Sequence, residues 1–208
     1  MAKGKLIVIE GLDGSGKATQ CGLLCNILLK NGCDLRKLSF PNYESPSSAL
    51  VKMYLSGELS KTPSGVNAYA ASSFYAVDRY ADYLKNWKED YENGKFFIAD
   101  RYSTSNAIYQ MSKLSENEWS SFLDWIEDYE YNKLGIPMPD KVIYLDMSVK
   151  VSQKLLSVRY NGDESKKDIH ESNVRFLSEC RVSALYAAEH CGWNVIRCDD
   201  GENPRSAD

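Results

Sequence analysis

The chain has 208 residues, of which 43% are hydrophobic and 26% charged, and its formal net charge at pH 7 is −4. This length and composition predict one folded domain over residues 1–208 and exclude a disordered chain. The acidic balance argues against a broad nucleic-acid-binding surface, and no apolar stretch suits a membrane span or a secretion signal. Six cysteines without metal-binding spacing and only two histidines predict reduced thiols in a cytoplasmic protein.

Five short segments rich in β-branched and aromatic residues are typical of buried parallel strands. In chain order they are KLIVIE, LRKLSF, KFFIAD, KVIYLD and WNVIRC, which end at Glu10, Phe40, Asp100, Asp146 and Cys198. Helical patterns alternate with them over residues 17–30, 47–55, 66–91, 104–134 and 168–190. The alternation predicts an α/β fold with a five-stranded parallel sheet and helices on both faces.

The stretch IEGLDGSGKATQC joins the first strand to the first helix and contains the pattern G-x-x-x-x-G-K, from Gly11 to Lys17. Glycines at this junction let backbone N–H groups turn towards an anion, and the helix dipole adds its positive end. Lys17 then reaches the β- and γ-phosphates of a nucleotide. We expect residues 11–18 to form a phosphate loop for ATP. The expected ATP contacts are Gly11, Gly14, Ser15, Gly16, Lys17, Ala18 and Thr19.

One position departs from this pattern, because Ala18 stands where a serine or threonine normally ligates Mg²⁺. Thr19 cannot take over this task, since one helical residue turns the side chain by about 100°. Mg²⁺ keeps most of its waters and binds few protein ligands, so the loss should weaken metal placement without abolishing it. Asp100, at the end of the third strand, is the predicted metal-facing carboxylate.

The most polar segment, SVRYNGDESKKDIHESN, covers residues 157–173. It fits two descriptions equally well, a solvated turn between helices or a mobile lid over bound phosphates, with the lid at about residues 157–168. Arg159 is the expected catalytic cation if the lid exists. For Lys166 and Lys167 we favour a solvated role.

Four segments then give the sequence a specific likeness: EGLDGSGKATQ from Glu10, FPNY from Phe40, FYAVDRY from Phe74 and DRYSTSNAIYQ from Asp100, with a weaker fifth, KDIHE, from Lys167. In this order they resemble the bacterial thymidylate kinases, which are P-loop nucleoside monophosphate kinases. The resemblance implies transfer of the γ-phosphoryl group of ATP to dTMP. It also implies Mg²⁺ with the ATP and a homodimer formed through the long third helix, although a buried core face would explain the apolar and aromatic residues from Tyr69 to Trp87 almost as well.

The resemblance also implies roles for individual residues at the base end of the site. Phe40 and Pro41 form an apolar corner for the thymine methyl group, although a strand end packed on a helix would look the same. Tyr75 stacks on the base. Arg79 donates to thymine O4 and so disfavours cytosine, whose amino group is a donor at that point. The alternative for Arg79 is a surface ion pair with Asp78 or Asp82.

At the phosphate end, Arg101 resembles the family's arginine that grips the dTMP phosphate, and Asp13 a carboxylate of the acceptor region. Asn106 matches a residue that bonds the base, and Tyr109 one that lies under the sugar and excludes a 2′-hydroxyl. The expected catalytic residues are Asp13, Lys17, Arg101 and Arg159. The expected dTMP contacts are Asp13, Phe40, Pro41, Tyr43, Tyr75, Arg79, Arg101, Asn106, Tyr109 and His170.

Some family members carry an arginine at the position of Gly14, which neutralises charge on the transferred phosphoryl group. Here Gly14 has no side chain, so that cation must come from elsewhere, and Arg159 is the expected source.

The sequence can also be compared with three other functions. A deoxynucleoside kinase acting on thymidine needs a general base after the second strand, where this chain has Phe40, Pro41 and Asn42. A regulatory GTPase needs an aspartate that NKLG, at residues 132–135, lacks. A catalytically weakened P-loop homologue is suggested by Ala18 alone.

Overall fold

The computed structural model describes residues 3–207, and within them five strands form one parallel sheet. Their order across the sheet is β2-β3-β1-β4-β5, so β1 is the central strand and is paired on both sides. The predicted α/β fold is confirmed. The strands are β1 (Lys5–Gly11), β2 (Leu35–Ser39), β3 (Phe96–Asp100), β4 (Lys141–Asp146) and β5 (Asn194–Arg197).

Helices connect the strands, and two of them run on into wider π-helical turns. The helices are α1 (Lys17–Lys30), α2 (Ala49–Leu55), α3 (Ala68–Asp82), α4 (Lys88–Glu92), α5 (Thr104–Tyr109), α6 (Trp119–Ile126), α7 (Val149–Arg159) and α8 (Val174–His190). The π turns are Tyr83–Trp87, between α3 and α4, and Glu127–Lys133, after α6. None of the helices in the described part of the chain is long and apolar enough to cross a membrane.

The alternating side chains of β1 build the core on both faces of the sheet. Leu6 and Val8 pack in one buried cluster with Phe97 of β3. Ile9 points to the opposite face and packs with Cys21 and other residues of α1. Both faces of β1 are therefore covered, and at its carboxyl end the chain turns into the glycine-rich loop.

The helix predicted from residue 168 begins later, at Val174, so that prediction is wrong at its start. The carboxylate of Asp168 accepts hydrogen bonds from the N–H groups of His170 and Glu171, at 2.8 and 2.9 Å. Asn173 then caps the helix by accepting from the N–H of Phe176. Acidic residues near a helix start are typical of its first turn, but the local turn closed by Asp168 holds them outside the helix.

The loops that follow β1, β2 and β3 meet at the carboxyl edge of the sheet. Two backbone bonds tie them together: the N–H of Arg101 donates to the carbonyl of Ile9 at 3.1 Å, and the N–H of Phe40 donates to that of Asp100 at 3.0 Å. Ligands of open parallel sheets bind at this edge. The fold therefore concentrates the predicted site residues in one place.

Candidate active site

A cavity of about 390 Å³ lies at the carboxyl edge of the sheet, within the size range of small-molecule sites. The predicted residues Gly11, Ser15 and Thr19 do not line its wall. The predicted residues that do line it are Asp13, Gly14, Gly16, Lys17, Ala18, Phe40, Pro41, Tyr43, Tyr75, Arg79, Asp100, Arg101, Asn106, Tyr109, Arg159 and His170.

The glycine-rich loop has the conformation that an anion cradle needs. Gly14 and Gly16 have φ angles of 79° and 87°, a left-handed backbone that glycine adopts without steric cost. Lys17 opens α1, and its ammonium group donates to the carbonyl of Leu12 at 2.8 Å. Burial, assisted by the nearby Arg101, lowers the pKa of Lys17 to about 8. The lysine is thus folded back over its own loop, beside the cavity.

Gly14 is closed to any side chain by helix α7. A Cβ atom at this position would lie 2.5 Å from the backbone carbonyl oxygen of Ser152, far inside contact distance. A loop arginine at this position is therefore incompatible with the way α7 packs here. The neighbouring α7 ends at Arg159, which is exposed and lines the same cavity.

The three residues around Lys17 differ in their access to the cavity. The hydroxyl of Ser15 is buried and has no hydrogen-bond partner among residues 3–207. Ala18 is exposed and lines the cavity, whereas Thr19 is exposed outside it. One helical residue turns the side chain by about 100°, so Thr19 does not line the cavity as Ala18 does.

Asp13, Arg101 and Tyr109 form a compact charged cluster at the centre of the site. The guanidinium of Arg101 donates to one carboxylate oxygen of Asp13, and the hydroxyl of Tyr109 donates to the other at 3.0 Å. The guanidinium carbon lies 5.2 Å from the centre of the Tyr109 ring. Burial alone would raise the pKa of Asp13, but Arg101 and Lys17 lower it to about 2. Asp13 is therefore ionised at neutral pH.

Arg101 is held in place by Glu10, a residue that the sequence reasoning missed. Arg101 has a φ of 67°, a left-handed conformation that is strained for a side chain of this size. The buried carboxylate of Glu10 anchors the residues that follow. It accepts from the N–H of Tyr102 at 3.1 Å and from the hydroxyls of Thr104 and Ser105 at 2.7 and 2.9 Å. The sequence did contain a signal for Glu10, namely an acidic residue close to the end of an apolar strand.

At the other end of the cavity, Arg79 makes a two-pronged ion pair with Glu130. Its Nε and Nη2 groups donate to the two carboxylate oxygens at 2.7 and 2.6 Å, and the two residues are only 2% and 1% exposed. Burial would lower the pKa of Arg79, but Glu130 more than compensates and the pKa is raised. The suggested ion pair with Asp78 or Asp82 is wrong, because those carboxylates bind the β2–α2 loop instead.

Two further residues in the cavity wall are Gln110, which the sequence analysis missed, and Phe40, which it predicted. Gln110 is only 1% exposed, lines the cavity, and its Oε1 atom has no partner in the described part of the chain. Phe40 was predicted either to line the site or to pack in the core, and it does both. Its ring packs 5.6 Å from that of Tyr102, and it also contributes to the cavity wall.

His170 closes one side of the cavity. Its Nε2 atom lies 2.9 Å from the hydroxyl of Tyr54, and its ring lies parallel to that of Tyr109, at 10° and 5.4 Å between centres. Burial lowers the pKa of His170 to about 3, so the imidazole is neutral. Burial and the nearby Asp13 raise the pKa of Asp168, which lines the same cavity, to about 7.

The two lysines of the polar segment, residues 157–173, differ in their exposure to solvent. Lys166 is exposed at the cavity rim, whereas the side chain of Lys167 is only 5% exposed. Lys167 donates to Gln153 Oε1 at 2.7 Å and pairs with Glu164 at 2.6 Å. The expected solvated role is therefore wrong for Lys167, which ties α7 to the short turn Glu164–Lys166.

Asp100 lines the cavity, and its negative charge acts on Lys17. Within residues 3–207, no group of three or more His, Cys, Asp or Glu side chains is arranged to hold a metal ion. One carboxylate beside a phosphate loop suits Mg²⁺, which retains water and takes its other ligands from substrate phosphates.

A parallel sheet with a phosphate loop after its central strand, and a cavity lined by that loop and by further cationic side chains, define the class of P-loop nucleotide kinases. The family model for thymidylate kinase matches residues 9–203, and the chain belongs to the thymidylate kinase family.

Individual relatives agree with this assignment. The chain is 30% identical over 201 residues to a thymidylate kinase of Mycobacterium tuberculosis, covering 93% of this chain and 92% of the relative. It is 32% identical over 202 residues to a probable thymidylate kinase of Thermococcus onnurineus, covering 91% and 94%. A solved thymidylate kinase structure from Candida albicans has the same fold, with a TM-score of 0.68, 21% identity, and coverage of 100% and 87%.

Affinity for ATP should fall as pH rises above about 8, because Lys17 then loses its proton in the free enzyme. Calorimetric titration of ATP across this range measures the effect. Lys17→Arg, whose guanidinium stays charged, should flatten the dependence. An ATP affinity that stays constant up to about pH 9.5 in the unaltered chain would show that the charge of Lys17 is not what binds the phosphates.

Proposed function

We propose that this chain transfers the γ-phosphoryl group of ATP to dTMP and releases dTDP and ADP. The observation that carries the proposal is one cavity that is lined by the phosphate loop, Lys17 and Arg101 and also by Arg79 and Asn106. Lys17 and Arg101 suit phosphates, and Arg79 suits a base carbonyl. A nucleoside monophosphate has this arrangement of groups, and family membership identifies the nucleotide as dTMP.

On the donor side, the loop of residues 11–18 binds the ATP phosphates through its backbone N–H groups and Lys17. Phosphoryl transfer depends mainly on positioning and on neutralising the charge of the transferred group. Arg159 supplies a cation from the lid, since Gly14 has no room for a side chain. Closure of the lid segment, residues 157–168, excludes water and so suppresses hydrolysis of ATP.

On the acceptor side, Arg101 binds the dTMP phosphate with its planar guanidinium. Asp13, ionised and bonded to both Arg101 and Tyr109, holds the arginine at the junction of the two substrates. The ring of Tyr109 lies under the sugar and leaves no room for a 2′-hydroxyl. His170, stacked on that ring and neutral, supports the same wall.

At the base, Tyr75 stacks on thymine, and the corner formed by Phe40, Pro41 and Tyr43 receives its methyl group. Arg79 donates to O4 and Asn106 bonds the neighbouring edge. A cytosine at this position would bring its amino donor against the guanidinium donor, and two unpaired donors cost a few kcal/mol.

Magnesium accompanies ATP in this proposal and is held by the phosphates, by water and by Asp100. When bound, it neutralises phosphate charge and helps to orient the transferred group. Ala18 offers no hydroxyl ligand, so the metal depends more strongly on the other donors.

We also propose a cytoplasmic homodimer. All six cysteines are free, which suits a reducing compartment. Helix α3 and the π turn after it expose Val77 and Leu84, at 47% and 49%, on one side. These residues are seven apart and share a face, as a packing stripe requires. We propose that a second copy of the chain packs against this face.

The reaction itself is tested by measuring ADP formation from ATP and Mg²⁺, with dTMP, dUMP, dCMP and thymidine offered separately. Turnover with dTMP should be well above that with the other three. Activity on thymidine alone would replace the proposal with a nucleoside kinase. Absence of turnover on all four would mark the chain as a weakened homologue.

Replacing Ala18 by Thr should lower the Mg²⁺ concentration needed for half-maximal rate by about two- to tenfold, because the new hydroxyl adds one ligand. Rates measured against a magnesium titration give the value. Ala18→Val has nearly the shape of the threonine without its oxygen and should not show the gain. If both variants behave alike, the metal is positioned by another route.

Arg159→Ala should lower kcat by about a hundredfold or more with little change in KM for dTMP, because the cation acts on the transferred group. Steady-state kinetics with both substrates varied will separate the two constants. Arg175→Ala removes an exposed arginine near the lid and serves as the control. A loss of only a few-fold in the Arg159 variant would assign the cationic role to another residue, such as Lys166.

A further inference from the structure

The two residues proposed to bond the base share one buried carboxylate. Glu130 Oε1 accepts both from Nη2 of Arg79, at 2.6 Å, and from the amide nitrogen of Asn106, at 3.0 Å. Its other oxygen accepts from Nε of Arg79 at 2.7 Å. Glu130 does not line the cavity, so its influence on a ligand passes through these two neighbours.

The orientation of the Asn106 amide follows from its surroundings. Besides Glu130, its nitrogen faces the backbone carbonyl of Ser72 at 3.4 Å. A carboxylate and a carbonyl can only accept hydrogen bonds, so the amide nitrogen must point towards them. Because Asn106 lines the cavity, the group it presents there is its oxygen, an acceptor. The opposite orientation would set the amide oxygen against two other oxygens.

Arg79 is constrained in the same way. Nε and one hydrogen of Nη2 are committed to Glu130, and the hydrogens that remain, on Nη1 and Nη2, are all donors for the cavity that Arg79 lines. The wall therefore offers a fixed donor beside a fixed acceptor. Thymine and uracil present the complement, an acceptor at O4 and a donor at N3–H. Cytosine presents the reverse, a donor at N4 and an acceptor at N3.

The position of Glu130 comes from the π turn Glu127–Lys133 that follows α6. A π turn takes up an extra residue, and such turns frequently occur at functional sites. Glu130 is 1% exposed, whereas its neighbour Glu127 is exposed. An acid this deeply buried is costly unless paired, and here both oxygens are used.

We infer that Glu130 is the positioning residue for base selection, which sets the donor of Arg79 and the acceptor of Asn106 against the thymine edge. This inference rests on the proposed function. It adds that discrimination against cytosine is set from behind the binding wall, by a residue that touches no substrate. Two mismatches, one at each group, make the rejection stronger than Arg79 alone would provide.

The test is Glu130→Gln, compared with Glu127→Gln in the same π turn. Glutamine keeps the shape of glutamate, but its NH₂ group is a donor. It must oppose Arg79 in either orientation, because Arg79 donates to both carboxylate oxygens, and it opposes Asn106 as well if it replaces Oε1. The ratio of kcat/KM for dTMP to that for dCMP should fall at least about tenfold. The ratio of dTMP to dUMP should not change, because both bases present the same edge. Glu127→Gln should leave both ratios unaltered.

Equal losses for dTMP, dUMP and dCMP in Glu130→Gln would overturn the inference, since that pattern indicates a general structural role. If thermal melting shows that this variant is unfolded at the assay temperature, Asn106→Ala carries the test. It leaves the Arg79–Glu130 pair intact and should also lower the ratio of dTMP to dCMP, whereas an unchanged ratio would overturn the inference. An unaltered chain that does not turn over dTMP would refute the proposed function itself, before any variant is compared.

Discussion

The hydrogen bonds accepted by Glu10 are the interaction on which the rest of the site depends. Glu10 is the last residue but one of the central strand, and its carboxylate fixes the segment after β3 to that strand. Burial raises the pKa of Glu10, and an unpaired carboxylate at this depth would be costly. Its donors and the nearby charge of Arg101 offset that cost. The strained backbone of Arg101 persists because these surroundings over-determine it.

The groups proposed to bind phosphate and those proposed to face the base differ in how their charges are balanced. At the phosphate end, Lys17, Asp13 and Arg101 lie close together, and the ionised Asp13 balances part of the positive charge before a substrate arrives. At the base end, charge is neutralised permanently by the buried pair of Arg79 and Glu130. The first arrangement can exchange partners when an anion enters, whereas the second keeps a fixed geometry.

The sequence predicted what is encoded locally and missed what depends on distant partners. The five strands follow from apolar runs, which act within a few residues, and they are confirmed. The glycine spacing likewise predicts the left-handed backbone observed at Gly14 and Gly16. The pairing of Arg79 with Glu130 joins positions 51 apart, and an acid inside a helical pattern gave no sign of it. The start of α8 was misplaced because Asp168 forms a local turn with the same residue types that open helices.

The contact between Gly14 and the carbonyl of Ser152 also limits how this enzyme can change over time. An arginine in the loop would supply the same charge that we propose for the arginine at the end of α7. In this chain, an arginine in the loop is sterically excluded as long as α7 packs against the loop. A single substitution therefore cannot convert one arrangement into the other, because α7 would have to shift first. The two arrangements are separated by a rearrangement of the backbone. Which of them a chain has therefore depends on its evolutionary history as well as on the chemistry of the reaction.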